Sequence, residues 1–92
     1  MNKDITPSQA FAARSKAEDA YTLAQRLTTG PGAGKVNAAG AVASIKEAGR
    51  FFEVAALRFD HIGGKTQAHE CRTRAEFCAG WAARLVELYG RA

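Results

Sequence analysis

One glycine-rich stretch, residues 30–36, has a spacing that approaches that of a phosphate-binding loop. A loop of the G-x-x-x-x-G-K-[ST] type needs a glycine five residues before its second glycine and a hydroxyl after its lysine. Thr29 occupies the first glycine position here, and Val36 replaces the hydroxyl that would hold Mg²⁺. The stretch also follows a helical pattern rather than a buried strand. We interpret it as a connection, in which Lys35 is a candidate for contacting an anion or a partner at the start of the next helix.

Two cysteines and two histidines are the other residues whose types could support chemistry. Cys71 and Cys78 lie seven residues apart on one predicted helix, about 10 Å along its axis, so they cannot form a disulfide with each other. The ligand pairs C-x-x-C and H-x-x-x-H are absent from the sequence. His61 and His69 have no nucleophile or second carboxylate arranged around them. The sequence therefore favours buried, inert thiols and solvated histidines, and it predicts no enzyme activity, no metal site and no cofactor.

Three helices must position these residues. Apolar side chains in steps of three and four predict α-helices over residues 7–28, 36–62 and 66–89. Thr6–Gln9 forms a capping-box pattern before the first helix, and Gly63–Gly64 ends the second where a positive φ is easily reached. The central helix carries an apolar stripe wide enough for two neighbours. We predict an all-α fold, an antiparallel three-helix bundle in which residues 1–92 form a single domain.

Alanine dominates the apolar positions, which predicts a thin core with closely spaced helices. Gly40 and Gly49 lie inside the central pattern, where each costs about 1 kcal/mol relative to alanine. A neighbouring backbone that approaches closely would offset that cost. The larger members of the expected core are Phe52, Phe59, Leu85 and Tyr89.

Composition narrows the class of protein. The chain has 92 residues, of which 47% are hydrophobic and 24% charged, a balance typical of soluble globular proteins. The net charge of +4 comes without a run of like charges, so no basic tail is predicted. The sequence shows no apolar stretch of membrane-spanning length and no secretory signal at its start. We expect a cytoplasmic protein, and the abundance of Ala, Gly and Arg is typical of bacterial or phage chains.

Part of the second and third predicted helices follows the pattern of a helical repeat. Large and small side chains alternate around a tight turn over roughly one repeat period, at Phe52, Ala56, Phe59, Gly63, Ala68 and Ala75. This pattern resembles one hairpin of the tetratricopeptide repeat family. Arg72 stands where that family usually has an aromatic residue, and the proline that ends the repeat is absent. The resemblance implies a protein-binding scaffold rather than an enzyme.

Three aromatic residues, Phe51, Phe77 and Trp81, lie off the main apolar seam of their helices. Either they pack toward the third helix of the bundle, or some of them remain exposed as a protein-binding surface bordered by Arg58. The second interpretation predicts a non-enzymatic protein–protein interaction module, such as an adaptor, a complex subunit or a small inhibitor of the kind that phages and mobile elements encode. A homodimer is a further form of the same prediction.

Nucleic acid is the alternative partner. Four basic residues cluster around the predicted hairpin in sequence, and on one face they would contact phosphates: Arg58, Lys65, Arg72 and Arg74. Acidic residues one turn away, such as Glu70 and Glu76, favour solvated helix faces instead. We therefore predict a protein partner first, with candidate contact residues Phe51, Arg58, Phe77, Trp81, Arg72, Arg74 and Lys35.

Overall fold

The predicted helices are present in the computed structural model, which describes residues 6–29 and 38–89. Helix α1 spans Pro7–Thr29, α2 spans Ala38–His61 and α3 spans Lys65–Tyr89. The ends of α1 and α2 and the start of α3 each differ from the prediction by one residue. Residues 36 and 37, where we predicted the start of the central helix, lie outside the described residues. The all-α three-helix bundle is confirmed.

Local hydrogen bonds explain where α1 begins. The Gln9 backbone N–H donates to Thr6 Oγ1 at 3.2 Å, and the Thr6 backbone N–H donates to Gln9 Oε1 at 3.1 Å. This reciprocal pair satisfies donors that the first helical turn leaves without a partner. The predicted capping box is therefore confirmed.

The turn between α2 and α3 is a Schellman motif. The Gly64 N–H donates to the Phe59 carbonyl at 2.7 Å, and the Gly63 N–H donates to the Asp60 carbonyl at 3.2 Å. Gly63 has a φ of 83°, a conformation that glycine adopts without a steric penalty. The Gly64 carbonyl then accepts the Ala68 N–H at 2.9 Å, so the second glycine caps α3.

Helix α2 lies between the other two helices. The backbones of α1 and α3 pack chiefly against α2 rather than against each other. Near the end of α2, Arg58 Nη1 donates to the carbonyl of Gln9 at the start of α1, at 3.1 Å, so these two helices are antiparallel. The tight turn makes α3 antiparallel to α2 as well. Helices α1 and α3 therefore run in the same direction on two sides of α2.

Alanines make up most of the buried core, as predicted. Phe52, Phe59 and Leu85 are buried, whereas the side chain of Tyr89 lies outside what the structure describes. Small side chains let the helices approach closely, but each contact removes little apolar area from water. The largest fully buried side chains are Phe52, Phe59, Ile45, Cys71 and Cys78.

Close packing of α2 on α3 is visible at Gly49. A Cβ atom there would lie 3.3 Å from Cys78 Cβ and 3.7 Å from the carbonyl oxygen of Ala75. The predicted approach of a neighbouring backbone is thus confirmed at Gly49. It is wrong at Gly40, where the nearest atom is the end of the Leu27 side chain at 3.4 Å.

A matched pair of substitutions tests this packing. Gly49→Leu should lower the free energy of unfolding by about 1–3 kcal/mol, because the new side chain must displace α3. Gly80→Leu is the control, since a Cβ at Gly80 has no neighbouring atom within 4 Å. It should raise the free energy of unfolding by about 0.5–1 kcal/mol through helix propensity. Urea unfolding followed by circular dichroism measures both, and equal changes would contradict a tight α2–α3 contact at Gly49.

Candidate functional site

Three aromatic rings bridge α1 and α3, and we term them the aromatic cluster: Tyr21, Phe77 and Trp81. The ring centroids of Tyr21 and Trp81 lie 5.5 Å apart at an interplanar angle of 62°. The Tyr21–Phe77 and Phe77–Trp81 centroids are 6.2 Å and 6.3 Å apart, with tilted planes. Aromatic pairs prefer such tilted and edge-on arrangements to flat stacking. The cluster is therefore a packed unit formed by two helices.

Helical spacing sets the exposure of the cluster. Phe77 and Trp81 are four residues apart and share the flank of α3 that faces α1. Tyr21 and Trp81 are partly buried and pack against the core, whereas Phe77 remains 58% exposed. A cleft of about 280 Å³ opens beside it, lined by Tyr21, Thr73, Arg74 and Phe77. The molecule thus presents a phenylalanine ring that packs against rings of both helices and still faces water.

A charged groove continues along the same side of the bundle, over Phe52, and has a volume of about 480 Å³. Glu18 Oε2 lies 3.4 Å from Arg14 Nε and 3.7 Å from Arg74 Nη1, so one carboxylate serves two guanidinium groups. The Arg74 guanidinium also lies 5.6 Å from the centroid of the Phe52 ring. Arg74 of α3 is therefore paired with Glu18 of α1.

Two other predicted contact residues lie between α1 and α2. The Lys16 ammonium group is 5.8 Å from the centroid of the half-buried Phe51 ring. Arg58 donates to the carbonyl of Gln9 on the same side. The structure does not bring Phe51 and Arg58 to the aromatic cluster, because they face α1 on the flank of α2 that is turned away from α3.

The remaining predicted residues are separated as well. Arg72 forms an ion pair with Asp60 and lines a groove between α2 and α3. Lys35 lies outside the described residues. Of the predicted set, the structure therefore groups Phe77, Trp81 and Arg74 on one surface.

Two residues of interest were absent from the predicted set. Tyr21 completes the aromatic cluster, and in the sequence it is marked only by its position beside the apolar stripe of α1. Leu57 is 65% exposed. It lies on the same helix face as Glu53 and Asp60, one turn away on either side, and outside the apolar stripe of α2. Each position indicates that the residue lies on the flank of a helix, but neither shows which residues of the other helices it contacts.

The basic residues near the hairpin do not form one surface. Arg58, Arg72 and Arg74 contact the Gln9 carbonyl, Asp60 and Glu18, respectively. These contacts place the three guanidinium groups on three different sides of the bundle. A phosphate backbone would require several unpaired cations along one face.

The cysteines belong to the core. Cys71 is 2% and Cys78 1% exposed, and both thiols are free. Burial raises the pKa of both thiols, although Arg14 and Arg74 partly counteract it at Cys71. A nucleophilic cysteine needs the opposite, a lowered pKa in an electropositive and accessible setting. Among residues 6–29 and 38–89, no group of three His, Cys, Asp or Glu side chains could hold a metal ion.

Comparison with known proteins yields no relative: no family model, curated protein or solved structure matches this chain. The resemblance to a tetratricopeptide hairpin stays a prediction carried by its own residues. No helix in the described part of the chain is long and apolar enough to cross a membrane.

The buried thiols lead to a kinetic prediction. At about pH 8, Cys71 and Cys78 should react with a thiol-specific dye at least about 100-fold more slowly in the folded protein than in denaturant, because the reaction requires local opening. A Ser15→Cys variant provides the control, since Ser15 is exposed on α1 and its thiol should react at once. Equally fast labelling of all three thiols would contradict the burial.

Burial of the thiols also makes the free energy of unfolding depend on pH. Because the folded-state pKa values of Cys71 and Cys78 are raised, their contribution to stability is fully present below the ordinary thiol pKa. That contribution is lost as the pH rises through the folded-state pKa values.

Proposed function

We propose that this chain is a non-enzymatic protein-binding module that contacts its partner through the aromatic cluster. The observation that carries the proposal is the exposure of Phe77, which is 58% although Tyr21 and Trp81 pack against it. Covering apolar surface is favourable by about 25 cal/mol per Å². Because neighbours from two helices already hold the ring, it loses little conformational freedom on binding.

The cleft beside Phe77 measures about 280 Å³, which suits one apolar side chain projecting from a partner's surface. Arg74 and Glu18 lie next to it and supply the polar rim that protein interfaces commonly have.

Two further features agree with this proposal. The resemblance of α2 and α3 to a tetratricopeptide hairpin implies protein binding. The unpaired, buried cysteines favour a reducing compartment, so we place the activity in the cytoplasm. Adaptors, complex subunits and small inhibitors all fit, because each needs a binding surface and no catalytic group.

Affinity capture with a matched pair of variants tests the proposal. The wild-type chain, Phe77→Ser and Leu23→Ser would each be immobilised and exposed to extract from the native host, with mass spectrometry of the retained proteins. Leu23 is a half-exposed leucine on the α1–α2 side, beside Phe51, so it is the control. We expect one protein to be retained by the wild type and Leu23→Ser, and its affinity for Phe77→Ser to be roughly 30-fold lower, as for an interface hot spot.

Three results would contradict the proposal. One is equal retention of the partner by Phe77→Ser, and another is loss of the partner only with Leu23→Ser. The third is retention of nucleic acid in place of protein, with an affinity that falls steeply as salt is raised. Thermal unfolding of the variants checks that the bundle remains folded.

A further inference from the structure

A second apolar surface lies between α2 and α3, on the side that no α1 residue lines. It consists of two adjoining depressions of about 430 Å³ each, which share Ala79. We term them together the outer groove. Alanines form its floor, while Leu57 stands at one end and Val86 at the other. Leu57 is 65% exposed, which leaves a large apolar side chain in water beside a shallow apolar floor.

The two ends of the outer groove carry opposite charge. Glu53 and Glu76 line the end at Leu57, together with Arg72. Asp60 forms an ion pair with Arg72 and so offsets its charge, which leaves this end acidic. Lys46 is the charged residue that lines the end at Val86. Lys46 and Glu53 are about 10 Å apart along α2, at 1.5 Å per residue, so the positive and negative charges lie toward different ends of the groove.

We propose that the outer groove binds a second copy of this chain, related to the first by a two-fold axis that runs across the helices. In such an interface the same patch meets itself with its ends exchanged. Lys46 of each copy then lies against Glu53 and Glu76 of the other. A two-fold axis along the helices would instead place Lys46 on Lys46, which like-charge repulsion opposes.

The shape of the outer groove also fits a two-fold arrangement with exchanged ends. The same rotation carries Leu57 of each copy to the Val86 end of the other, where Ala82 and Ala83 leave room for it. Small side chains on the floor let helices of two copies approach closely. An alanine-rich core buries little apolar area within one chain, and a chain of 92 residues buries a smaller fraction of its surface than a larger protein does. Burial of the outer groove in a dimer would therefore add to stability.

Two leucines of equal exposure provide the first test. Leu57 and Leu88 are both 65% exposed and lie near the C-terminal ends of α2 and α3, but only Leu57 lines the outer groove. Light scattering and sedimentation across a concentration series should show a dimer for the wild type and for Leu88→Ser. The dissociation constant of Leu57→Ser should be at least about tenfold higher. A wild type that stays monomeric up to about 1 mM overturns the proposal. Equal effects of the two variants on the dissociation constant overturn it as well.

Complementation between charge variants provides the second test. Lys46→Glu and Glu53→Lys should each raise the dissociation constant about tenfold, because each homodimer then contains two like-charge contacts. An equimolar mixture should form a heterodimer with near wild-type affinity, since each copy supplies the charge that the other lacks. Native mass spectrometry separates the three dimers when one of the two variants carries a uniform ¹⁵N label, because Lys and Glu have nearly equal masses. A mixture that associates no better than either variant alone overturns the exchanged-end arrangement.

This dimer is independent of the aromatic cluster. Phe77 lies on the flank of α3 that faces α1, so Phe77→Ser should dimerise with the wild-type dissociation constant. Loss of dimerisation in Phe77→Ser would contradict the assignment to the outer groove. Failure of the dimer and failure of the partner-binding proposal can therefore be told apart.

Discussion

Close approach of α2 to its neighbours is the constraint on which the rest of the structure depends. Its contact faces combine alanines and Gly49 with the larger Ile45, Phe52 and Phe59, and at Gly49 a Cβ atom would already be 3.3 Å from Cys78. Because α2 lies between α1 and α3, the outer helices cannot pack equally closely on each other. Longer side chains must fill the space between them. The aromatic cluster and the charged groove are therefore consequences of the same small residues that hold α2 in place.

Ion pairs and hydrogen bonds between helices also distribute the positive charge. Arg58, Arg72 and Arg74 each reach a partner on another helix, and each reaches it on a different side of the bundle. Such exposed contacts add little to stability, because solvent screens them and long side chains lose freedom. Their larger effect is on the surface. These three guanidinium groups therefore do not form one basic face.

Helix α3 contributes to two surfaces at once. Its cysteine and alanine seam is buried on α2, one flank carries Phe77 and Trp81, and the other lines the outer groove. Under the proposals made here, two chains joined through their outer grooves would hold both aromatic clusters away from the dimer interface. A bivalent arrangement of this kind raises the overall affinity for a partner that is itself repeated or dimeric.

The sequence by itself determined the three helices, the capping box at Thr6 and the glycine turn, because these depend on periodicity and on hydrogen bonds between residues close in the chain. It also identified the buried seam of each helix, including Phe52 and Phe59. The tertiary structure decided which off-seam side chains remain exposed, since that depends on how each helix is rotated toward its neighbours. It placed Phe77 with Tyr21, separated Phe51 from both, and paired Arg74 with Glu18. Those contacts join residues on different helices, and the spacing of residues within a single helix carries no information about them.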